Sequence, residues 1–304
     1  MGNINDGHTA IVAHDAGAAA HIFAWLGSGL INRDSCKFCL EGPAAKIFQA
    51  QRPNIEFCSL ESVLIGANTL LTGTGWASSL EHNARVWAKK NEIKSIAVID
   101  HWVNYKERFV RDHIQALPDI IWVSDKHALR EAKLCFPNIE IVEKRNDYVK
   151  SIVDKVLSYK VDRKKSTTNI LYVLEPVRDI WAGYEEMGEF QALDFFLNSI
   201  PILKLQEEIS IILKLHPSEP KDKYDNWLKA SGFSNINIEK NKDLVSLLAW
   251  SDIVVGCETY AMVVALAAHK RVISSLPKHA HKCRLPYDKI EHLNQINNNE
   301  HKYQ

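Results

Sequence analysis

Residues able to do chemistry stand where short apolar runs stop. The run Ile209-Ser210-Ile211-Ile212-Leu213-Lys214-Leu215 ends at His216-Pro217, and a β-branched run closed by proline predicts a buried strand. His216 then sits at the carboxyl end of that strand, ahead of the polar loop Ser218-Glu219-Pro220. Asp252-Ile253-Val254-Val255-Gly256 predicts a second strand, followed by Cys257-Glu258-Thr259-Tyr260 and a helix from Ala261 to His269. Arg271-Val272-Ile273-Ser274-Ser275 predicts a third, stopped by Leu276-Pro277. Strands alternating with helices imply a parallel sheet. In such sheets the loops beyond the strand carboxyl ends form the ligand crevice. That placement makes His216, Pro217, Gly256, Glu258, Thr259, Ser274 and Ser275 one group of candidate binding residues.

A second group lies in the first half. Thr9-Ala10-Ile11-Val12-Ala13 predicts a strand, His14-Asp15 follows it, and the small-residue turn from Ala16 to Ala20 opens a helix reaching about Gly27. The turn carries one glycine and does not match G-x-G-x-x-G, so it gives no dinucleotide fingerprint. Its alanines allow close backbone approach, and the helix amino terminus suits an anion or a sugar. Ser95-Ile96-Ala97-Val98-Ile99 predicts another strand, with Asp100, His101 and Trp102 at its carboxyl end. Asp15, Asp100, His101 and Glu81 are the candidate general bases. The plainer roles are N-caps for Asp15 and Asp100 and, for Glu81, a capping box with Ser78 three residues earlier. Trp76 and Trp102 could stack on a sugar face, although packing is the commoner role for such rings.

The elements that must position these groups follow the same alternation. Further strands are expected at Phe38 to Leu40, Ile55 to Cys58, Thr69 to Thr72, Asp119 to Val123, Ile139 to Val142 and Asn169 to Leu174. Helices are expected at Pro43 to Gln51, from Ser78 to about Asn91, and at Lys126 to Cys135, Asn146 to Tyr159, Glu186 to Ser199 and Lys242 to Trp250. From Lys160 to Thr168 the pattern breaks into a polar, charged run, which reads as a linker. The expected organisation is therefore α/β, with two Rossmann-like domains, residues 1–160 and 161–304, facing each other across a cleft. The end, from about Asn294, is polar and expected to fray.

Composition narrows the classes. The chain has 304 residues, 46% hydrophobic and 24% charged, ordinary values for a globular protein of about two domains. Lys+Arg 37 balances Asp+Glu 37, so no overall basic field points to nucleic acid. No window approaches the roughly 20 apolar residues that span a bilayer. The amino terminus lacks a basic region followed by an apolar core, so no signal peptide is expected. Gly2 lacks the Ser or Thr of a myristoylation motif, having Asp6 at that position. A cytoplasmic location is the expectation, with the inner face of a membrane as an extension of it. The Arg163-Lys164-Lys165 run would serve peripheral association there, and otherwise reads as a solvated linker. Cys36-x-x-Cys39 has no second pair or nearby histidines for zinc and runs into a strand, so the six cysteines read as reduced thiols. No metal site, no D-x-D and no cofactor is expected.

On His216-Pro217, on Gly256-Cys257-Glu258-Thr259 and on Ser274-Ser275, each following a buried strand, the second half resembles the nucleotide-binding domain of a GT-B glycosyltransferase. The nearest likeness is to bacterial sialyltransferase-like and Kdo-transferase-like enzymes that use CMP-activated sugars. The resemblance covers roughly residues 169 to 290; the first half matches only in its α/β pattern. It implies that His216 contacts the donor phosphate and that the later hydroxyls and amides contact phosphate or nucleotide. Related families often carry consecutive serines where this chain has Cys257-Glu258-Thr259. The physical reading agrees, because a histidine and helix-opening amides stabilise the charge that develops on a departing nucleotide. Glu258 would accept from a ribose hydroxyl or a base amino group. An inverting, metal-independent transfer also needs a general base facing the acceptor hydroxyl. It is expected from the first half, and Asp15 is favoured because the small residues after it leave room for a sugar. The implied partners are a nucleotide-sugar donor, CMP-linked by preference and carrying an acidic ulosonate or nonulosonate, and a glycan or glycolipid acceptor of a bacterial surface. The alternatives are a UDP-sugar 2-epimerase-like enzyme, a CDP-polyol phosphotransferase-like enzyme, and a non-catalytic nucleotide-sugar-binding subunit.

Overall fold

A computed structural model describes residues 7–53, 55–161, 166–183, 185–205, 208–216, 219–233 and 235–296. The chain divides into two compact units, Met1–Ser151 and Ile152–Gln304. Each has its own parallel sheet and its own apolar core.

The first unit runs β1 (His8–Ala13), α1 (Ala16–Gly27), β2 (Cys36–Leu40), α2 (Gly42–Gln51), α3 (Leu60–Leu64), β3 (Ala67–Thr72), α4 (Leu80–Lys90) and β4 (Lys94–Val98). A small antiparallel hairpin, β5 (Val110–Arg111) with β6 (Ile114–Gln115), precedes β7 (Ile120–Val123), α5 (Lys126–Cys135), β8 (Glu140–Glu143) and α6 (Asp147–Ser158). The six-stranded sheet has the order β2-β1-β3-β4-β7-β8. Its central strands are continuous apolar runs, as strands covered on both faces must be: Ala10 to Ala13 are fully buried. Trp25, Ile22, Phe23 and Phe48 fill one side. Leu64, Leu70, Ala84 and Ala88 fill another cluster.

The second unit runs β9 (Thr167–Val173), α7 (Gly188–Ser199), β10 (Glu208–Lys214), α8 (Asp225–Ser231), β11 (Ile236–Glu239), α9 (Leu244–Trp250), β12 (Ile253–Gly256), α10 (Tyr260–Ala267), β13 (Arg271–Ser274), β14 (Glu291–His292) and α11 (Leu293–Ile296). Its sheet has the order β11-β10-β9-β12-β13-β14. Phe196, Leu193, Tyr172, Ile211 and Leu213 form its core.

The expected alternation and the two α/β units are present. Residues 55–58 correct one expectation: they form no strand. Cys58 N donates to Phe38 O at 2.7 Å, a single tether beside β2, and β3 takes the place next to β1. The division into units falls within α6. Before the helix, Arg145 O accepts from Trp25 Nε1 at 2.7 Å, and in its first turn Asp147 accepts from Ser28 Oγ at 2.6 Å. The tail beyond Ile296 and residues 162–165 of the polar run lie outside the described residues.

Strand order decides where a ligand can sit. In the first sheet the chain goes from β1 out to β2, then returns to place β3 on the other side of β1. In the second it goes from β9 to β10 and β11, then returns to place β12 on the other side of β9. Each unit therefore has a topological switch point, at β1/β3 and at β9/β12, where the loops diverge and leave a crevice.

Candidate functional site

At the β1/β3 switch point three carboxylates hold the loops together. Asp15, at the N-cap position of α1, makes no capping bond. It instead accepts from Trp76 N at 2.8 Å through one oxygen and contacts His14 Nδ1 at 2.7 Å through the other. Glu81, 2% exposed, accepts from His14 N at 3.0 Å and from Gly75 N at 2.5 Å. It thus ties the loop after β1 to the loop after β3, and the capping-box role is corrected: Ser78 Oγ accepts from Leu80 N at 3.1 Å, while the Glu81 carboxylate faces away into the loops. Burial pushes that carboxyl above its ordinary range. Asp100 accepts from Arg108 Nη1 at 3.0 Å, and the same guanidinium nitrogen contacts Thr74 Oγ1 at 3.3 Å.

Glycine makes these approaches sterically feasible. A Cβ on Gly17 would lie 1.7 Å from Asp100 Oδ2, and one on Gly75 would lie 2.1 Å from Asp15 Oδ2. The room beside Gly17 is therefore filled by the Asp100 carboxylate, at the amino-terminal turn of α1, where a negative charge is favoured. So Asp15 and Asp100 come together at one end of one sheet. His101 is half-buried and its ring packs on Trp102, centroids 5.2 Å apart. Trp102 is 8% exposed and donates to Asp125, whereas Trp76 is 45% exposed.

The β9/β12 switch point holds a pocket of about 370 Å³, lined by Glu175, Val177, Arg178, Glu258, His281 and Arg284 among others. Glu175 is the second residue past β9 and Glu258 the second past β12. Glu258 is fixed by the segment that folds over it. Its two oxygens take Arg284 N at 2.9 Å, Arg284 Nε at 2.9 Å, Arg284 Nη2, and His281 Nε2 at 3.0 Å. Arg284 holds this carboxyl below its ordinary range despite burial. Its oxygens are thereby occupied, so its main effect is to orient Arg284 and His281 around the pocket. Glu175 differs. Its Oε1 accepts from Glu258 N at 2.6 Å, and among the described residues it forms no ion pair. Burial pushes Glu175 up to about 7, although the amides that it accepts from pull the other way.

Arg178 has a 55% exposed side chain and its guanidinium reaches Glu219 and Glu189. Lys223 pairs with the same two carboxylates, so those buried acids keep a cation whatever Arg178 does. His216, half-buried at the end of β10, lies in the same field. Burial lowers its titration, Glu219 opposes that and Arg178 adds to it. Pro217 lies outside the described residues.

The remaining candidates brace the loop from beneath. Ser274 Oγ donates to Cys257 O at 2.7 Å, and Ser275 Oγ bonds Gly256 O at 3.2 Å and Tyr172 OH at 2.8 Å. Both serines are at most 1% exposed. Gly256 is required by packing, since a Cβ there would lie 2.9 Å from Val173 Cγ2. Thr259 is the N-cap position of α10 and makes no side-chain capping bond.

Sequence reasoning missed Glu175, Arg178, His281 and Arg284 as site residues. Glu175-Pro176 follows a strand just as His216-Pro217 does, and that parallel was the available signal. His281 and Arg284 lie in an irregular segment with no periodicity to place it. A larger recess of about 710 Å³, lined by Lys94, Ser95 and Asp119, opens at the amino ends of β4 and β7, opposite the crevice. Among the described residues no three His, Cys, Asp or Glu side chains are grouped to hold a metal ion. The six cysteines are free.

No family model and no curated protein sequence matches the chain. Solved structures do. A protein from Listeria monocytogenes described as a candidate UDP-N-acetylglucosamine 2-epimerase aligns over 90% of this chain and 80% of its own, at TM-score 0.59 and 10% identity. UDP-GlcNAc 2-epimerase from Neisseria meningitidis, bound to UDP-GlcNAc, aligns over 88% and 82%, at 0.55 and 11%. The glycotransferase of kitacinnamycin aligns over 88% and 80%, at 0.50 and 11%. At these identities the likeness shows the fold: two Rossmann-like α/β units of the GT-B kind.

Proposed function

We propose that this chain is a nucleotide-sugar-dependent glycosyltransferase of GT-B type. The pocket at the β9/β12 switch point would hold the donor phosphate, and the carboxylates at the β1/β3 switch point would serve the acceptor. The observation that carries the reading is the pocket itself. Arg178, His281 and Arg284 line a recess at the carboxyl ends of β9 and β12, beside the amino terminus of α10. Cations and a helix amino terminus converging there suit a phosphate that gains charge as its sugar departs. Asp15 is the general base of the proposal. Asp100 has one oxygen held by the Arg108 guanidinium at 3.0 Å, a cation that would stay beside it through any proton transfer, whereas among the described residues Asp15 contacts a histidine and a backbone amide. The preferred donor is a CMP-linked acidic ulosonate or nonulosonate, the acceptor a bacterial surface glycan precursor, and the site of action the cytoplasmic side of the membrane.

A CMP-ulosonate carries one phosphodiester and one carboxylate, and a UDP-sugar carries two phosphate charges, so the cations of the pocket suit either. The test is turnover of a CMP-ulosonate, a UDP-hexosamine and a CDP-polyol, each followed by release of free nucleotide and by analysis of the sugar. Nucleotide release from the CMP donor, lost in Asp15→Asn with nucleotide binding intact, is the expected result. The epimerases among the similar structures support a second reading, and epimerisation of the UDP-hexosamine with no transfer would establish it instead. Turnover unchanged in Asp15→Asn would remove that residue from the base role.

A further inference from the structure

Glu175, Asp179 and Glu258 all line the donor pocket, and two of these carboxyl groups, Glu175 and Glu258, have opposite environments. Glu258 is held as an anion by Arg284 and His281. Glu175 sits beside it, accepts from the Glu258 amide, and takes part in no ion pair among the described residues. The groups around it are Tyr172 of β9, Cys257 and Glu258 ahead of α10, Cys283 and Arg284 of the covering segment, and Arg178, Asp179 and His281, which line the same pocket. The carboxylate of Glu258 is therefore already compensated when a donor arrives, and a bound phosphate would bring a further negative charge against Glu175. Two like charges in one partly desolvated recess do not both persist; the less compensated group takes a proton.

We propose that Glu175 is a neutral, hydrogen-bond-donating ligand of the donor phosphate, so that donor binding at this pocket takes up a proton. The inference rests on the reading of this pocket as a donor site. A protonated carboxyl can offer its O–H to a phosphate oxygen, whereas the carboxylate can only repel it. Glu175 thereby selects for an anion and ties donor affinity to pH. Burial pushes the Glu175 carboxyl up to about 7, so the coupling falls in the range where a small change of pH matters.

The experiment is calorimetric titration of the full chain with a CMP-ulosonate and a UDP-hexosamine, in buffers of differing ionisation enthalpy. These probes are phosphate diesters, so they do not titrate near neutrality. At pH 8 the wild type should take up close to one proton per donor bound, and affinity should fall toward tenfold per pH unit above that point. Glu175→Gln, which keeps a neutral donor in place, should bind at pH 8 at least as tightly as wild type, with no uptake and no pH slope. Glu175→Asp should restore the uptake. A residue that only shaped the pocket would weaken binding in Glu175→Gln and leave the uptake unchanged. Binding without proton uptake, or uptake that survives in Glu175→Gln, overturns this inference and leaves the donor site standing. No binding of either probe to wild type overturns the donor site, and this inference with it.

Discussion

Asp15, Glu81 and Asp100 illustrate how position and role separate at the scale of the residue. All three follow or face strand ends, yet Glu81 spends both oxygens on backbone amides and Asp100 is paired with Arg108. Ser275 is the counterpart in the second unit. Its hydroxyl meets Tyr172 OH in a fully buried position, so Ser275→Ala removes one hydrogen-bond partner of a buried phenol and leaves it Cys257. The expected cost is about 0.5–1.5 kcal/mol of stability in a denaturant titration, with nucleotide affinity of the folded protein unchanged. Glu175 predicts a pH effect whose sign is fixed. Its folded-state titration is raised from 4.5 to about 7, so its contribution to stability is fully present below 4.5 and is lost as pH rises through 7. Thermal melts of Glu175→Gln should therefore lack that decline, and at pH 8 the variant should melt above wild type. A steeper decline in the variant would contradict the assigned environment.

At the scale of the element, α1 and the loop after β3 are built around close approach. Gly17 in the first turn of α1 gives its side-chain space to Asp100, and Gly75 gives its own to Asp15. Gly17→Ala should push Asp100 off Arg108 and cost about 1–3 kcal/mol by overpacking. An unchanged melting temperature would mean that the loop has slack that these distances deny. These elements also show what sequence made visible. The strands β1, β4, β9, β10, β12 and β13 are continuous apolar runs with sharp polar ends, so the two α/β halves and most candidate residues could be placed without coordinates. Asp125 caps the start of α5, accepting from His127 N and Ala128 N, both at 2.8 Å. Residues 55–58 misled because a short apolar stretch beside a strand looks like a strand whether or not a ladder forms. Glu81 misled because Ser78 offered a local partner, while its true partners are the amides of His14 and Gly75, one of them 67 residues away. His281 and Arg284 lie in an aperiodic segment, and their closure on Glu258 is a tertiary contact that local pattern does not encode.

At the scale of the whole molecule, two sheets of the same winding each carry a switch point, and each unit has its own core. Phe196 is fully buried in the second, so Phe196→Ala should cost about 3–5 kcal/mol. Hydrogen exchange should register the loss in β9, β10 and β12, with the amides of β1 and β3 keeping their protection; uniform loss through both sheets would show that the units unfold as one. The central claim is that the β9/β12 crevice binds nucleotide phosphate. Arg178 tests it cleanly, because Lys223 keeps Glu189 and Glu219 paired when Arg178 is removed. CMP, CDP and UDP should be titrated by calorimetry into wild type and Arg178→Ala. The account predicts binding of at least one nucleotide to wild type and a loss of about tenfold to a hundredfold in the variant, the worth of one charge-assisted hydrogen bond, with the melting temperature essentially unchanged. Equal affinity in the two proteins, or no binding of any of the three, would contradict it.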